Sequence, residues 1–217
     1  GADVGIAFDG DADRMLAVDE KGNIIDGDQV MAMCAHHMKQ LGTLKGDTLV
    51  ATVMSNLGLT LFGNDNGINV EQTKVGDRYV LERMLEGGFN LGGEQSGHII
   101  FLDHNTTGDG LVSALQFLSM LKKTGMKASE AAKVIDVLPQ VLINASVKDE
   151  NKEKFRDIPE IANACKKLED EFDGKGRVLI RPSGTEPLVR VMIEGGDKDY
   201  INKKARELAD MIEKILG

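Results

Sequence analysis

The sequence is short of cysteine, of net positive charge and of long apolar runs, and it contains no internal repeat or low-complexity tract. Each shortage excludes something. Only two cysteines occur, Cys34 and Cys165, far apart and each on the apolar stripe of an expected helix. That placement excludes a ligand-spaced metal or redox motif and predicts two buried free thiols, with a disulfide the unsupported alternative. With 35 acidic against 26 basic residues the formal net charge is -9 at pH 7. No basic field exists to displace counterions from nucleic acid, which is therefore not an expected partner. The longest apolar stretch, residues 111–121, is broken by Ser113, Gln116 and Ser119. It falls well short of the roughly 20 residues that span a bilayer, so no membrane partner is expected either. Residues 1–8 hold no positive segment, no leader-length apolar stretch and no initiator methionine. The expectation is a cytoplasmic protein whose sequence begins part-way along.

What is present is material for one large core or two modest ones: 217 residues, 41% apolar and 28% charged. Val4, Ile6 and Phe8 alternate as in a strand, and Leu16 with Val18 repeats the pattern after an acidic interruption. Asp28 is expected to cap a helix whose stripe is Met31, Cys34, Met38 and Leu41. Strand, helix, strand and helix then follow over 48–54, 57–62, 68–72 and 77–85, the last capped by Asp77 itself. Such alternation predicts a largely parallel sheet. Residues 89–91 and 99–102 read as strands flanking a glycine-rich loop, and Leu111, Leu115, Leu118 and Leu121 fall in phase on a strong helix. A shorter helix is expected around 128–134 and a domain boundary near 136–139. Beyond it come a strand with Val141, Ile143, Ala145 and Val147 on one face, and a helix bearing Ile158, Ile161, Cys165, Leu168 and Phe172. Strands at 177–181 and 188–194 and a closing amphipathic helix at 200–216 complete a βαββα order. The fold class is α/β followed by a small α+β domain.

Three loops carry residues suited to chemistry. In Asp9-Gly10-Asp11-Ala12-Asp13-Arg14, carboxylates at alternate positions among small residues can converge, and they repel one another unless a cation sits between them. Hard oxygen ligands suit Mg²⁺ or Ca²⁺, with places left for water or a phosphate oxygen. An EF-hand shares Asp9, Asp11, Asp13 and Glu20 at its first, third, fifth and twelfth positions. It is excluded by Arg14 where glycine must stand and by strands where helices must flank. A solvated acidic turn remains the plain alternative. In Gly92-Gly93-Glu94-Gln95-Ser96-Gly97-His98, a carboxylate, a hydroxyl and an imidazole at alternate positions could line one side of a turn and recognise a polyol. His98 could there move a proton, although from this loop alone a satisfied structural histidine is the better reading. In Arg181-Pro182-Ser183-Gly184-Thr185-Glu186-Pro187, with Arg190 following, two guanidiniums, two hydroxyls and a glycine could cradle a phosphate; a decorated β-turn is the alternative.

In this order the three loops resemble the α-D-phosphohexomutase superfamily, and the resemblance spans nearly the whole chain. Gln95 between the glutamate and the serine, with Val75-Gly76-Asp77-Arg78-Tyr79 nearby, looks most like the bacterial phosphoglucosamine mutase branch. The resemblance implies four domains around a cleft, of which residues 1–20 would end domain two, 21–138 would be domain three and 139–217 a TBP-like domain four. It implies Mg²⁺ on Asp9, Asp11 and Asp13, with Arg14 an added positive group beside them. Glu94 and Ser96 would bind sugar hydroxyls, and His98 is a candidate proton carrier. Arg181, Ser183, Gly184, Thr185 and Arg190 would hold the non-reacting phosphate, and Lys74 with Asp77 and Arg78 would line the same cleft. The implied reaction interconverts glucosamine 6-phosphate and glucosamine 1-phosphate through a phosphoserine, on the way to amino-sugar nucleotides and peptidoglycan precursors. The family's Thr/Ser-Ala-Ser-His-Asn phosphoserine motif does not occur in this sequence, so the partners implied are a phosphorylated amino sugar and an N-terminal half. A phosphate anchor on the last domain further implies closure about a hinge near 136–140. A sister mutase acting on glucose or mannose phosphates, a noncatalytic sugar-phosphate module and a homodimer are the alternatives left open.

Overall fold

A computed structural model describes residues 1–217, which divide into two units, Gly1–Val137 and Leu138–Gly217. The first unit opens with an antiparallel meander of β1 (Val4–Phe8), β2 (Met15–Asp19) and β3 (Ile24–Ile25). Its inward face is Met15, Ala17 and Asp19 rather than Leu16 and Val18, because Met15 and Ala17 pack into the core while Leu16 points outward. Pairing of Phe8 with Met15 brings the six intervening residues into a tight loop between the two strands.

Helix α1 (Gly27–Gln40) follows, capped by Asp26 and not by Asp28. Asp26 accepts from the Gln29 backbone N–H while the Gln29 side chain accepts from the Asp26 N–H, a reciprocal capping box. Asp28, one turn position inside, is fully buried and accepts from the Asn56 N–H at 2.7 Å. Next come β4 (Thr48–Thr52), α2 (Leu57–Asn66), β5 (Asn69–Thr73), α3 (Asp77–Gly87), β6 (Leu91–Gly93) and β7 (Ile99–Phe101). Gly76 precedes α3 and no side chain caps it, so Asp77 is its first helical residue.

These strands form one sheet in the order β5-β4-β6-β7. Strands β5 and β6 run parallel to β4, whereas β7 is antiparallel to β6, so the sheet is mixed where alternation predicted a largely parallel one. The cause is the Glu94–His98 loop, which turns the chain straight back instead of crossing over through a helix. All five residues of β4 are buried. Leu49 and Ala51 meet α1 and α2 on one face and Val50 meets Val80 and Met84 of α3 on the other, as a strand covered on both faces requires.

Helix α4 (Gly110–Thr124) buries Gly110, Ser113, Ala114, Phe117 and Met120. The leucine row expected inside is turned outward at its start, with Leu111 and Leu115 60% and 57% exposed. Close backbone approach decides the phase. A Cβ on Gly110 would lie 2.7 Å from the Arg14 carbonyl oxygen, and Ser113 Oγ donates to the carbonyls of Asp109 and Ile99. The short α5 (Ala128–Ala131) runs into a 3-10 turn and ends this unit.

In the second unit, β8 (Gln140–Ser146), α6 (Pro159–Phe172), β9 (Gly176–Pro182), β10 (Leu188–Gly195) and α7 (Lys198–Leu216) form an antiparallel β8-β10-β9 sheet with both helices against it. Val189, Val191 and Ile193 face Ile161, Leu168, Ile201 and Ile212. The opposite face of β10 presents Arg190, Met192 and Glu194. Both cysteines are free; Cys34 is buried and Cys165 half-buried.

Candidate active site

Strand order places the site. The parallel strands β4, β5 and β6 all deliver their carboxyl ends to one edge of the sheet, the position where open α/β sheets form ligand crevices. Thr52 and Met54, Val75, and Glu94 to Ser96 emerge there and, with Leu16 and Asp26, line a cleft of about 440 Å³. Glu94 is held in place from two sides. Its Oε1 accepts from the Gly76 N–H at 3.1 Å and its Oε2 from Ser96 Oγ at 3.5 Å. Lys74 lies two residues before Gly76, exposed, with Nζ 6.0 Å from the Tyr79 ring centre.

The loop is clamped from below by α1. Gln95 Nε2 donates to Asp26 Oδ2 at 3.1 Å, and the Gln95 carbonyl accepts from the Gly27 N–H at 3.0 Å. Gly27 has no room for a side chain, since a Cβ there would sit 2.3 Å from the Glu94 carbonyl oxygen.

The acidic loop is built onto the same scaffold. Ligand oxygens of Asp9, Asp11 and Asp13 lie within 4.8 Å of one another. Ala12 at φ 58° makes the curl, stabilised by its N–H to the Asp9 carbonyl at 3.2 Å. The Ala12 carbonyl accepts from the Gly110 N–H, and the Met15 N–H donates to the Gly97 carbonyl at 3.1 Å, joining acidic and sugar loops directly. Arg14 Nε is 3.8 Å from Asp9 Oδ2, and the Arg14 backbone N–H donates to Asp9 Oδ1. Asp13 Oδ2 lies 2.9 Å from His98 Nδ1, while Asp13 Oδ1 is buried with no hydrogen-bond partner. Burial pushes the Asp13 carboxyl up, but the hydrogen bond and charge of His98, with the charge of Arg14, outweigh it and hold it below its ordinary value. An all-oxygen set with one carboxylate oxygen left unsatisfied fits a hard divalent cation.

The third loop belongs to the second unit and follows β9. Arg181 on β9 and Arg190 on β10 are direct cross-strand partners. Desolvation, then the charge of Arg190, lowers the Arg181 guanidinium below its ordinary value, and Arg190 Nε is buried without a partner. Ser183 is buried, its Oγ accepting from the Glu186 N–H at 3.3 Å. Thr185 and Gly184 are exposed, with open space where a Gly184 side chain would be. Glu186 lies 3.5 Å from Arg190 and partly neutralises it. Two adjacent guanidiniums, with one carboxylate beside Arg190, leave a cationic surface suited to an anion.

Residues 26–137 match the family described as phosphoglucomutase/phosphomannomutase, alpha/beta/alpha domain III, and residues 142–213 match its C-terminal domain. The chain belongs to the phosphoglucomutase/phosphomannomutase family. It is 64% identical over 216 residues to the phosphoglucosamine mutase of Ruminiclostridium cellulolyticum and 62% identical over 217 to that of Acetivibrio thermocellus. Each alignment covers 100% of this chain and 48% of the relative, so the chain spans about half the length of the curated relatives it matches. Among solved structures, the Aspergillus fumigatus N-acetylphosphoglucosamine mutase shares the fold with a TM-score of 0.81 at 21% identity, over 96% of this chain and 48% of that one. The same fungal enzyme solved with GlcNAc-6P and magnesium gives 0.80 at 20% identity, over 98% and 49%.

Against this family background, the structure brings Asp9, Asp11, Asp13, Arg14 and His98 into one group, and Glu94 and Ser96 onto one cleft. It does not put His98 on that cleft. The imidazole is 5% exposed and turned toward Asp13. Sequence reasoning missed Asp26, Gly27 and Gly108 as parts of the site, the last because a Cβ there would lie 2.2 Å from His98 Nε2. The Asp26 to Gln29 spacing of a capping box was the available signal for the first, and the glycines carried none.

Proposed function

We propose that this chain is the sugar- and phosphate-recognition half of a cytoplasmic phosphoglucosamine mutase that interconverts glucosamine 6-phosphate and glucosamine 1-phosphate. The observation that carries the reading is the joining of a three-carboxylate cluster to a carboxylate-lined cleft through Met15–Gly97 and Asp13–His98. A cation site and a polyol site are thereby held as one rigid piece. Curated relatives at 64% and 62% identity named phosphoglucosamine mutase support the sugar, and the fungal neighbour holding GlcNAc-6P and magnesium supports the metal. Two free cysteines, one deeply buried, support a reducing compartment.

In this reading residues 1–20 end the preceding domain, 21–138 form the sugar-binding domain and 139–217 the phosphate-binding one. Asp9, Asp11 and Asp13 would hold Mg²⁺, which when bound would supply positive charge against the phosphoryl group being transferred. Arg14 adds a positive group beside them. Glu94, fixed by Gly76 and Ser96, takes vicinal sugar hydroxyls, because a carboxylate accepts from two at once. Lys74 lies near enough in sequence to the Gly76 contact to meet a sugar substituent. Arg181, Arg190, Thr185, Gly184 and the remaining proton of Ser183 hold the phosphate that does not react, which fixes the sugar's position during transfer. A phosphoserine donor from outside these residues completes the chemistry. Competition of glucosamine, glucose and mannose 6-phosphates for the complete enzyme tests the reading. Preference for the amino sugar is expected, and equal or better turnover of either neutral sugar would reassign the substrate.

A further inference from the structure

We propose that the cavity between the carboxyl-terminal ends of α1 and α4 is a binding site for a small apolar carboxylate, an acid with a body of about two rings whose carboxylate meets His37. The cavity holds about 320 Å³ and shares no lining residue with the sugar cleft. Met33 and His37 of α1, Met120 of α4, Met126 just beyond it, Ala131 of α5 and Val134 of the following turn make most of its wall. Small-molecule sites begin at about 300 Å³ and combine an apolar lining with a few placed polar groups. A cavity of roughly 150 Å³ takes one benzene ring, so this one has room for two. Three thioethers in the wall suit the task, because methionine is flexible and polarizable and packs well against ligands of irregular outline.

The polar atom that selects the ligand class is His37 Nε2, which is buried and has no hydrogen-bond partner. Buried polar atoms are ordinarily paired, so this one is a vacancy for a ligand atom. Neighbouring charges decide which atom fits. Burial, then the charges of Lys123 and of His36, hold the His37 imidazole below its ordinary pKa. Glu130 and Lys133, also on the wall, offset each other, and Lys123 leaves the surroundings net positive. A neutral hydroxyl would satisfy Nε2 without using that field, and a cation would be repelled by it. A carboxylate uses it: the ring takes a proton from solvent and the two form a charge-assisted hydrogen bond. His36 does not compete for the ligand. Its Nε2 is engaged 2.9 Å from Gln40 Nε2, and its ring lies tilted toward Phe62 of α2.

The test uses 2-naphthoate as the probe and 2-naphthylmethanol as its uncharged counterpart, each titrated into the 217-residue chain carrying ¹³C-methyl methionine. Met33, Met120 and Met126 report the cavity, Met54 the sugar cleft and Met192 the second unit. The expected result is saturable shifts at the first three methyls, with the alcohol bound about 10-fold more weakly than the acid, the loss of one charge-assisted contact. In His37→Leu the preference for the acid is expected to vanish. Lys123→Gln, exposed on α4, tests the field at a position that cannot disturb the core: affinity for the acid falls while that for the alcohol stays. Equal affinity of the wild-type chain for acid and alcohol, or a preference kept in His37→Leu, would overturn the proposal. So would shifts centred on Met54, or no saturable shift at any methyl. Titration of the His37 Cε1 proton gives a second readout: bound 2-naphthoate is expected to raise the pKa of the ring and the bound alcohol to leave it, and a pKa unmoved by the acid would contradict the contact.

Discussion

Arg181 and Arg190 stand opposite each other across the β9–β10 ladder, two like charges where cross-strand partners ordinarily attract. Desolvation and the charge of Arg190 both act against the Arg181 cation. Such an arrangement costs stability in the free protein and is relieved by an anion. Replacing Arg181 with Met is therefore expected to raise the melting temperature slightly, since an opposed like pair costs about 0.2 to 1 kcal/mol. The same change should weaken sugar-phosphate binding by about 1.5 to 3 kcal/mol, the worth of a charge-assisted contact. Calorimetric melts and a phosphate titration on the same protein check both signs.

Two glycines give opposite expectations. At Gly27 a Cβ would strike the Glu94 carbonyl at 2.3 Å and the Gly97 nitrogen at 2.8 Å, both backbone atoms. Gly27→Ala should destabilise the first unit by about 1 to 3 kcal/mol and shift the sugar loop. At Gly184 nothing lies within 4 Å and φ is not positive. Gly184→Ala should leave the melt unchanged and raise KM for the sugar phosphate. A drop in melting temperature at Gly184, or none at Gly27, would contradict the account.

The Asp26–Gln95 contact is expected to hold the sugar loop in register rather than to touch substrate through the amide. Gln95→Leu removes a donor to a carboxylate that still caps α1, for a loss of about 1 kcal/mol. Asp26→Ala loses the clamp and the cap together, a larger effect by about 0.5 to 2 kcal/mol. Hydrogen exchange at the Glu94 and Gly97 amides reads loop order directly, and protection unchanged in both variants would refute the clamp.

Acid should unfold this chain in part through Asp19. The Asn23 side chain, opposed by burial but joined by the Asn23 and Lys21 backbone N–H groups, holds its carboxyl below the ordinary value. Because the folded pKa is depressed, the stabilisation is complete above the unfolded value of about 3.9 and is lost as pH falls through the folded one. Asp19→Asn is expected to lower stability at neutral pH and to flatten the loss of stability below about pH 4. Melting curves from pH 3 to 7 decide it; parallel curves for the two proteins would exclude Asp19.

Much of this was legible in residue order because short-range chemistry set it. The alternation of Val4, Ile6 and Phe8, the stripe of Ile161, Cys165 and Leu168, and the three loops themselves depend on neighbours a few residues away. What escaped depends on contacts across long sequence separation. The phase of α4 follows from Gly110 against Arg14, roughly a hundred residues earlier, and no periodicity records that approach. The reversal of β7 comes from a loop whose hydrogen bonds run to Gly76, Asp26 and Met15. His98 was visible as a residue suited to proton transfer, but its placement behind Asp13 under Gly108 arises only when three separate segments meet.

The measurement that tests the central claim most directly is conversion of glucosamine 6-phosphate to glucosamine 1-phosphate by the complete enzyme, followed by ³¹P nuclear magnetic resonance. It is run with Mg²⁺, after chelation, and in Asp11→Asn, one of the two cluster carboxylates exposed to solvent. The account predicts turnover that vanishes on chelation, returns with Mg²⁺ and is nearly abolished in Asp11→Asn with the melting temperature retained. Undiminished conversion in the chelated enzyme or in Asp11→Asn would contradict it.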